Sequence, residues 1–164
     1  MKKLFLLLTI ILTCLTFNSC NQEIFFRDPA IQGSFQDRFW LTDNVRVYTQ
    51  TESGYTYYFI EGIRGNETIT LRTTGIGKNK YPFGDNNSKT ATYTLKLGEN
   101  DFLIYNTSID RGSGSVLITD YNEETQTVSG KFEFEALNKN ALDTINAPKV
   151  VLEKGLFYNV PIYK

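Results

Sequence analysis

From Phe39 onward the apolar positions recur every second residue, which is the period of a half-buried β-strand and not of a helix. Phe132, Phe134 and Ala136 alternate with Lys131, Glu133 and Glu135. Val45 and Val47 flank Arg46, Ile69 and Leu71 alternate with Thr68, Thr70 and Arg72, and Tyr93, Leu95 and Leu97 alternate with Thr92, Thr94 and Lys96. Val116 and Ile118 repeat the pattern, whereas residues 55–60, 102–105 and 150–152 are apolar on both faces, as strands covered on both sides are. Turn-forming runs separate these segments closely: Glu52-Ser53-Gly54, Arg64-Gly65-Asn66, Asp85-Asn86-Asn87, Gly98-Glu99-Asn100-Asp101, residues 111–114 and Asn122-Glu123-Glu124.

This spacing predicts an all-β fold, a single antiparallel β-sandwich of about nine strands, with an up-and-down β-barrel as the alternative. Residues 115–121 and 128–136 should form a hairpin through the short turn at 122–125, with Phe132 and Phe134 inside and Glu133 outside. A helix of more than two turns fits only near residues 136–142, where Asn138 and Asn140 weaken it.

The first twenty residues follow a different rule. Lys2 and Lys3 precede an apolar run from Leu4 to Phe17, and Asn18-Ser19-Cys20 closes it. This is the layout of a lipoprotein signal peptide over residues 1–19. Fourteen apolar residues rise only about 21 Å as a helix, short of the roughly 30 Å bilayer core, so a membrane span is the poorer reading. Lipidation is expected at Cys20, because cutting at Cys14 would shorten the apolar run and place the bulkier Thr13 before the cut. At about 0.8 kcal/mol per buried methylene, two or three acyl chains on Cys20 would hold the protein at a bilayer. Residues 20–36, broken by Pro29 and Gly33, read as a lipidated tether, with Ile24, Phe25 and Phe26 expected to pack on the domain at 37–164, the alternative being the lipid surface. Asn21-Gln22-Glu23 after the cysteine carries one acidic residue, and the outer membrane is the expected location, on its periplasmic or surface side.

Composition then removes whole classes of chemistry. There is no His, and both cysteines lie within the first 20 residues. Catalytic triads, Cys-His pairs and His or Cys zinc sites therefore cannot be built in the mature domain, and neither a metal nor a cofactor is expected. Removing Lys2 and Lys3 from the 17 basic residues leaves 15 against 18 acidic ones, a net charge of −3 once the new amino terminus is acylated. Such a chain lacks the basic field that nucleic acid requires. Removing 19 of 164 residues leaves 145, enough core for a monomer to fold without staples.

The remaining motifs have structural explanations. Gly75-Ile76-Gly77 and Gly112-Ser113-Gly114 lack the third glycine of a phosphate loop, and Asp85-Asn86-Asn87-Ser88 is followed by Lys89 and Lys96 where a calcium loop needs oxygens. Carboxylates alone could serve acid–base catalysis, which makes a glycoside hydrolase using two of Asp101, Asp110, Asp120 and Glu133 the alternative enzyme reading. Ten tyrosines, ten phenylalanines after the leader and Trp40 could fill a core or bind sugars. Tyr55, Tyr57 and Phe59 are expected in the core, with Tyr48, Tyr58 and Tyr105 as surface platforms.

Several segments carry a resemblance: Tyr81-Pro82-Phe83-Gly84 with Ala91-Thr92-Tyr93, residues 112–119, Val128-Ser129-Gly130-Lys131-Phe132-Glu133-Phe134, and Gly155-Leu156-Phe157 with Val160-Pro161. In these the chain resembles lipoproteins of Bacteroidetes bacteria grouped only as a domain of unknown function. The resemblance implies secretion, a lipid anchor and a β-rich domain, and it brings no activity. Asp143-Thr144-Ile145 matches the short acceptor pattern for O-linked glycans on proteins exported by such bacteria, with Thr144 as the acceptor. The expected function is therefore a non-catalytic, lipid-anchored envelope module that binds a glycan, peptide or partner protein, or that serves structurally.

Overall fold

The computed structural model describes residues 28–163, and among them there is no helix. Eleven strands follow in order: β1 (Ala30–Phe35), β2 (Arg38–Leu41), β3 (Asn44–Glu52), β4 (Tyr55–Arg64), β5 (Glu67–Thr73), β6 (Lys80–Phe83), β7 (Thr90–Lys96), β8 (Phe102–Asn106), β9 (Ser113–Asn122), β10 (Thr127–Asn138) and β11 (Lys149–Pro161). All the pairings between strands are antiparallel and belong to one sheet, ordered β2-β1-β11-β10-β8-β7-β5-β4-β3. The long β10 divides it: its first nine residues pair with β9, which carries β6, and its last two pair with β8.

One sheet supplies the enclosure by curling on itself into a half-barrel. The tail after β11 returns to the opposite end of the sheet, where Ile162 bridges Val47 and the Tyr163 N–H donates to the Val47 carbonyl at 2.8 Å. The curl brings Ile31, Trp40, Val47, Ile60, Leu71, Val116, Phe132, Phe134, Leu152 and Phe157 into one continuous core. A sheet buried on one face only needs polar residues on the other, and this accounts for the alternation seen in the sequence.

The hairpin at residues 115–136 forms as expected. β9 and β10 pair through a turn in which Asn122 Oδ1 accepts the N–H groups of Glu124 and Thr125, at 2.9 and 3.0 Å. Phe132 and Phe134 are buried and Glu133 is exposed.

Two boundaries differ from the sequence reading. Ala30–Phe35, assigned there to the tether, is β1 and lies between β2 and β11, with Ile31 and Phe35 in the core. Its polar Gln32 and Ser34 alternate with those apolar residues, a period that Pro29 and Gly33 obscured. Residues 136–138 end β10 where a helix was conceivable, and Asn138 and Asn140 begin the turns that follow.

Candidate functional site

The Gly-x-Phe sequence occurs three times, at Gly33-Ser34-Phe35, Gly130-Lys131-Phe132 and Gly155-Leu156-Phe157, and the last two copies lie antiparallel against each other. Gly130 pairs with Phe157, Lys131 with Leu156, and Phe132 with Gly155. Each ring covers the facing glycine on the inner face. A Cβ on Gly130 would stand 2.3 Å from the Phe157 ring, and one on Gly155 would stand 2.7 Å from the Phe132 ring. Only glycine leaves room for these rings, whose centroids lie 6.2 Å apart.

Because side chains alternate across a strand, the middle residues Lys131 and Leu156 face outward. They belong to a row that crosses five strands in register: Gln32 on β1, Leu156 on β11, Lys131 on β10, Leu117 on β9 and Lys80 on β6. Two adjoining depressions lie along this row. One, of about 460 Å³, is lined by Lys80, Leu117, Lys131, Glu133, Lys154 and Leu156, among others. The other, of about 410 Å³, shares Lys131 and Leu156 and extends past Gln32 to Ala30 and Asn159.

The ion pairs of the described residues leave Lys80, Lys131 and Lys154 without an acidic partner, whereas Lys78 is held by Asp120 at 2.8 Å. Lys154 sits at the irregularity in the β10–β11 ladder with φ 52°, which places it at the wall of the groove. Gln32 Oε1 is buried without a hydrogen-bond partner.

A second polar cluster centres on Glu67 of β5. Glu67 accepts a hydrogen bond from the Tyr93 hydroxyl at 2.7 Å and another from the Trp40 indole N–H at 3.1 Å. It also pairs with Arg38, and Arg64 stands 4.0 Å away. Burial alone would raise the Glu67 carboxyl, but the bonds from Tyr93, Arg38 and Trp40 outweigh it and hold the group below its ordinary range. Burial, then the hydrogen bond to that carboxylate, pushes the Tyr93 hydroxyl well above its ordinary value. The Tyr93 hydroxyl, the Trp40 indole and Arg38 converge on one carboxylate, so it fastens β2 to β5 and β7.

On the outer face of β3–β5 the rings of Tyr48 and Phe59 stack at 5.0 Å. Arg46 lies over Tyr48 at 5.0 Å and Arg72 over Tyr57 at 3.8 Å. Glu61 and Glu52 hold these guanidinium groups at 2.7 and 2.6 Å. The rings are thus covered by cations that are themselves neutralised.

The residues singled out from sequence fall in separate places. Asp101 and Asp110 lie in loops, Asp120 is paired with Lys78, and Glu133 lies on the outer face of β10. Glu133 faces Ser115 on β9, five residues from Asp120. At about 3.3 Å per residue the two are roughly 16 Å apart, beyond the 5–9.5 Å of a glycosidase pair. Tyr105, expected at the surface, is 3% exposed and packs against Tyr93 with centroids 6.0 Å apart. The faces of β4 are the reverse of those expected. Ile60 pairs with Val47 in the core, so Tyr55, Tyr57 and Phe59 lie on the outer side, Tyr55 being 70% exposed, and Tyr58 shares the face of Ile60. Residues 57–60 are apolar in succession and contain no alternation from which that parity could be read. Thr144 is exposed in the loop after β10, and Cys20, Ile24, Phe25 and Phe26 lie outside the described residues.

Sequence reasoning missed Glu67, Lys80, Lys131 and Lys154 as members of clusters. The repeated Gly-x-Phe was the one signal that could have located the groove.

Fold and groove together define an all-β protein with a filled interior, whose single curled antiparallel sheet offers an outward-facing basic groove. The family model described as a domain of unknown function, DUF6252, matches residues 27–161, and the chain belongs to that family. The match begins just before β1 and ends with β11, so the curled sheet is the family's unit. No curated protein and no solved structure matches the chain.

Proposed function

We propose that this protein is a non-catalytic binding module of a bacterial cell envelope, held to the outer membrane by acyl chains on Cys20, as in the Bacteroidetes lipoproteins its motifs resemble. The observation that carries the binding role is the groove. Lysines without acidic partners and exposed leucine surface are the features of a surface that gains from an occupant. The lysine-rich leader, the apolar run and Cys20 support the anchor. Nine residues separate Cys20 from Ala30, and the ten steps between them reach at most about 36 Å, so an anchored groove would work close to the membrane.

Metabolic labelling with a fatty acid tests the anchor. Label should enter the wild type and Cys14→Ala forms and be absent from Cys20→Ala. Label that persists in Cys20→Ala and vanishes in Cys14→Ala would move the site, and no label in the wild type would refute the anchor. For the binding role, wild-type protein should retain a component of an envelope extract that a Lys131→Glu form loses. Identical retention by the two would refute the groove.

A further inference from the structure

The groove carries a more specific reading, which rests on the binding role proposed above. Across the sheet its floor alternates in chemistry: amide at Gln32, apolar at Leu156, cation at Lys131, apolar at Leu117, cation at Lys80. Neighbouring strands lie about 4.8 Å apart, so the bases of Lys131 and Lys80, two strands apart, are separated by about 10 Å, with Leu117 midway. Lys154 adds a third cation at the wall.

The acids nearby are few. Glu133 lines the same depression, while Asp120, which lines the adjoining one, is neutralised by Lys78. The groove is therefore net positive on a chain whose overall formal charge is −1. That contrast selects an anionic ligand.

The spacing selects its shape. Each sugar of an extended polysaccharide advances by about one strand spacing, so an acid on every second sugar recurs at the two-strand interval of the lysines. An extended peptide repeats its side chains on one face about every 6.8 Å and falls out of step with them. A flat bilayer would touch the rim of a depression rather than its floor. The apolar face of an uncharged sugar would rest on Leu117, which is 39% exposed.

We propose that the groove over β1, β11, β10, β9 and β6 binds an extended acidic polysaccharide with a carboxylate on every second sugar, the acids meeting Lys131 and Lys80.

The test is calorimetric titration of the purified full chain with a hyaluronate octasaccharide, which carries one carboxylate per disaccharide. Comparators are its carboxyl-reduced counterpart, a polyglutamate peptide and vesicles of phosphatidylcholine with phosphatidylglycerol. The octasaccharide should bind, weaken on going from about 0.05 M to about 0.5 M salt, and lose about tenfold in affinity in each of Lys131→Glu and Lys80→Glu. Lys96→Glu makes the same charge change on β7, outside the groove, and should leave affinity within about twofold. Circular dichroism checks that each variant is folded.

Equal binding of the carboxyl-reduced sugar, or equal losses in Lys96→Glu and Lys131→Glu, would overturn the proposal. Tighter, Lys131-dependent binding of polyglutamate or vesicles would overturn the polysaccharide and leave the groove as the module's site. No Lys131-dependent binding of any probe would overturn both the polysaccharide and the groove.

Discussion

Replacing Glu67 by Gln tests how β2 is fastened to β5 and β7. The carboxylate has 13% of its side-chain surface exposed and receives hydrogen bonds from Tyr93, Trp40 and Arg38. A glutamine keeps one acceptor and turns the other into an amide donor, which then faces either the Trp40 N–H or the Tyr93 and Arg38 donors. Hydrogen bonds to a charged group are worth about 1.5–3 kcal/mol each, and removing one partner of a buried ion pair costs about 3–5 kcal/mol. Arg38 is 48% exposed and regains much of its hydration, which places the expected loss near 3 kcal/mol. That is a large part of the roughly 5–15 kcal/mol total stability of a domain. Trp40 is the only tryptophan and touches the altered group, so urea unfolding followed by its fluorescence reports the site directly. The sign with pH follows from the lowered folded-state value. Stabilisation by Glu67 is fully present above the ordinary 4.5 of the unfolded chain and is lost as pH falls through the lower folded value, so the gap between wild type and Glu67→Gln should close on acidification. A loss below about 1 kcal/mol at neutral pH, or a gap that widens in acid, would refute the reasoning.

Phe134→Ala should destabilise by about 3–5 kcal/mol in the same assay, because its buried ring stacks near Phe132 on the face that fills the half-barrel; a change under about 1 kcal/mol would remove it from the core. A chelator should leave the melting temperature unchanged, since no cluster of three metal-ligating His, Cys, Asp or Glu side chains exists among the described residues, and a drop of more than a few degrees would contradict this. On the envelope-lipoprotein reading, Thr144 should carry an O-linked glycan after export from the native host, seen as an intact-mass increase absent in Thr144→Ala; an unshifted wild-type mass would exclude it. Thr144 is exposed, and the neighbouring Asp143 carboxylate is fixed by the backbone and side chain of Asn146, which hold its pKa well below the ordinary range.

Local pattern sufficed where each residue's face could be read from its neighbours. Alternation placed Val45, Val47, Ile69, Leu71, Phe132 and Phe134 on the inner side, and each is buried. It failed at residues 55–60, where large apolar side chains on both faces leave the parity open and the partner strand decides it: Val47 faces Ile60, so Phe59 must face Tyr48 outside. Register is a long-range property, and a slip of one residue exchanges the two faces. The same limit hid the groove. Lys80, Lys131 and Lys154 stand on three different strands, and each alone is indistinguishable from a solvated lysine. They converge because two Gly-x-Phe segments lock β10 against β11 in a single register, each glycine admitting the opposite ring. The inner half of that lock is core packing, and the outer half necessarily turns Lys131 and Leu156 to the surface side by side. The constraint that fixes the fold at its centre thereby fixes the centre of the candidate site, and changing Gly130 or Gly155 should disturb stability and ligand binding together, whereas changing Lys131 should touch binding alone.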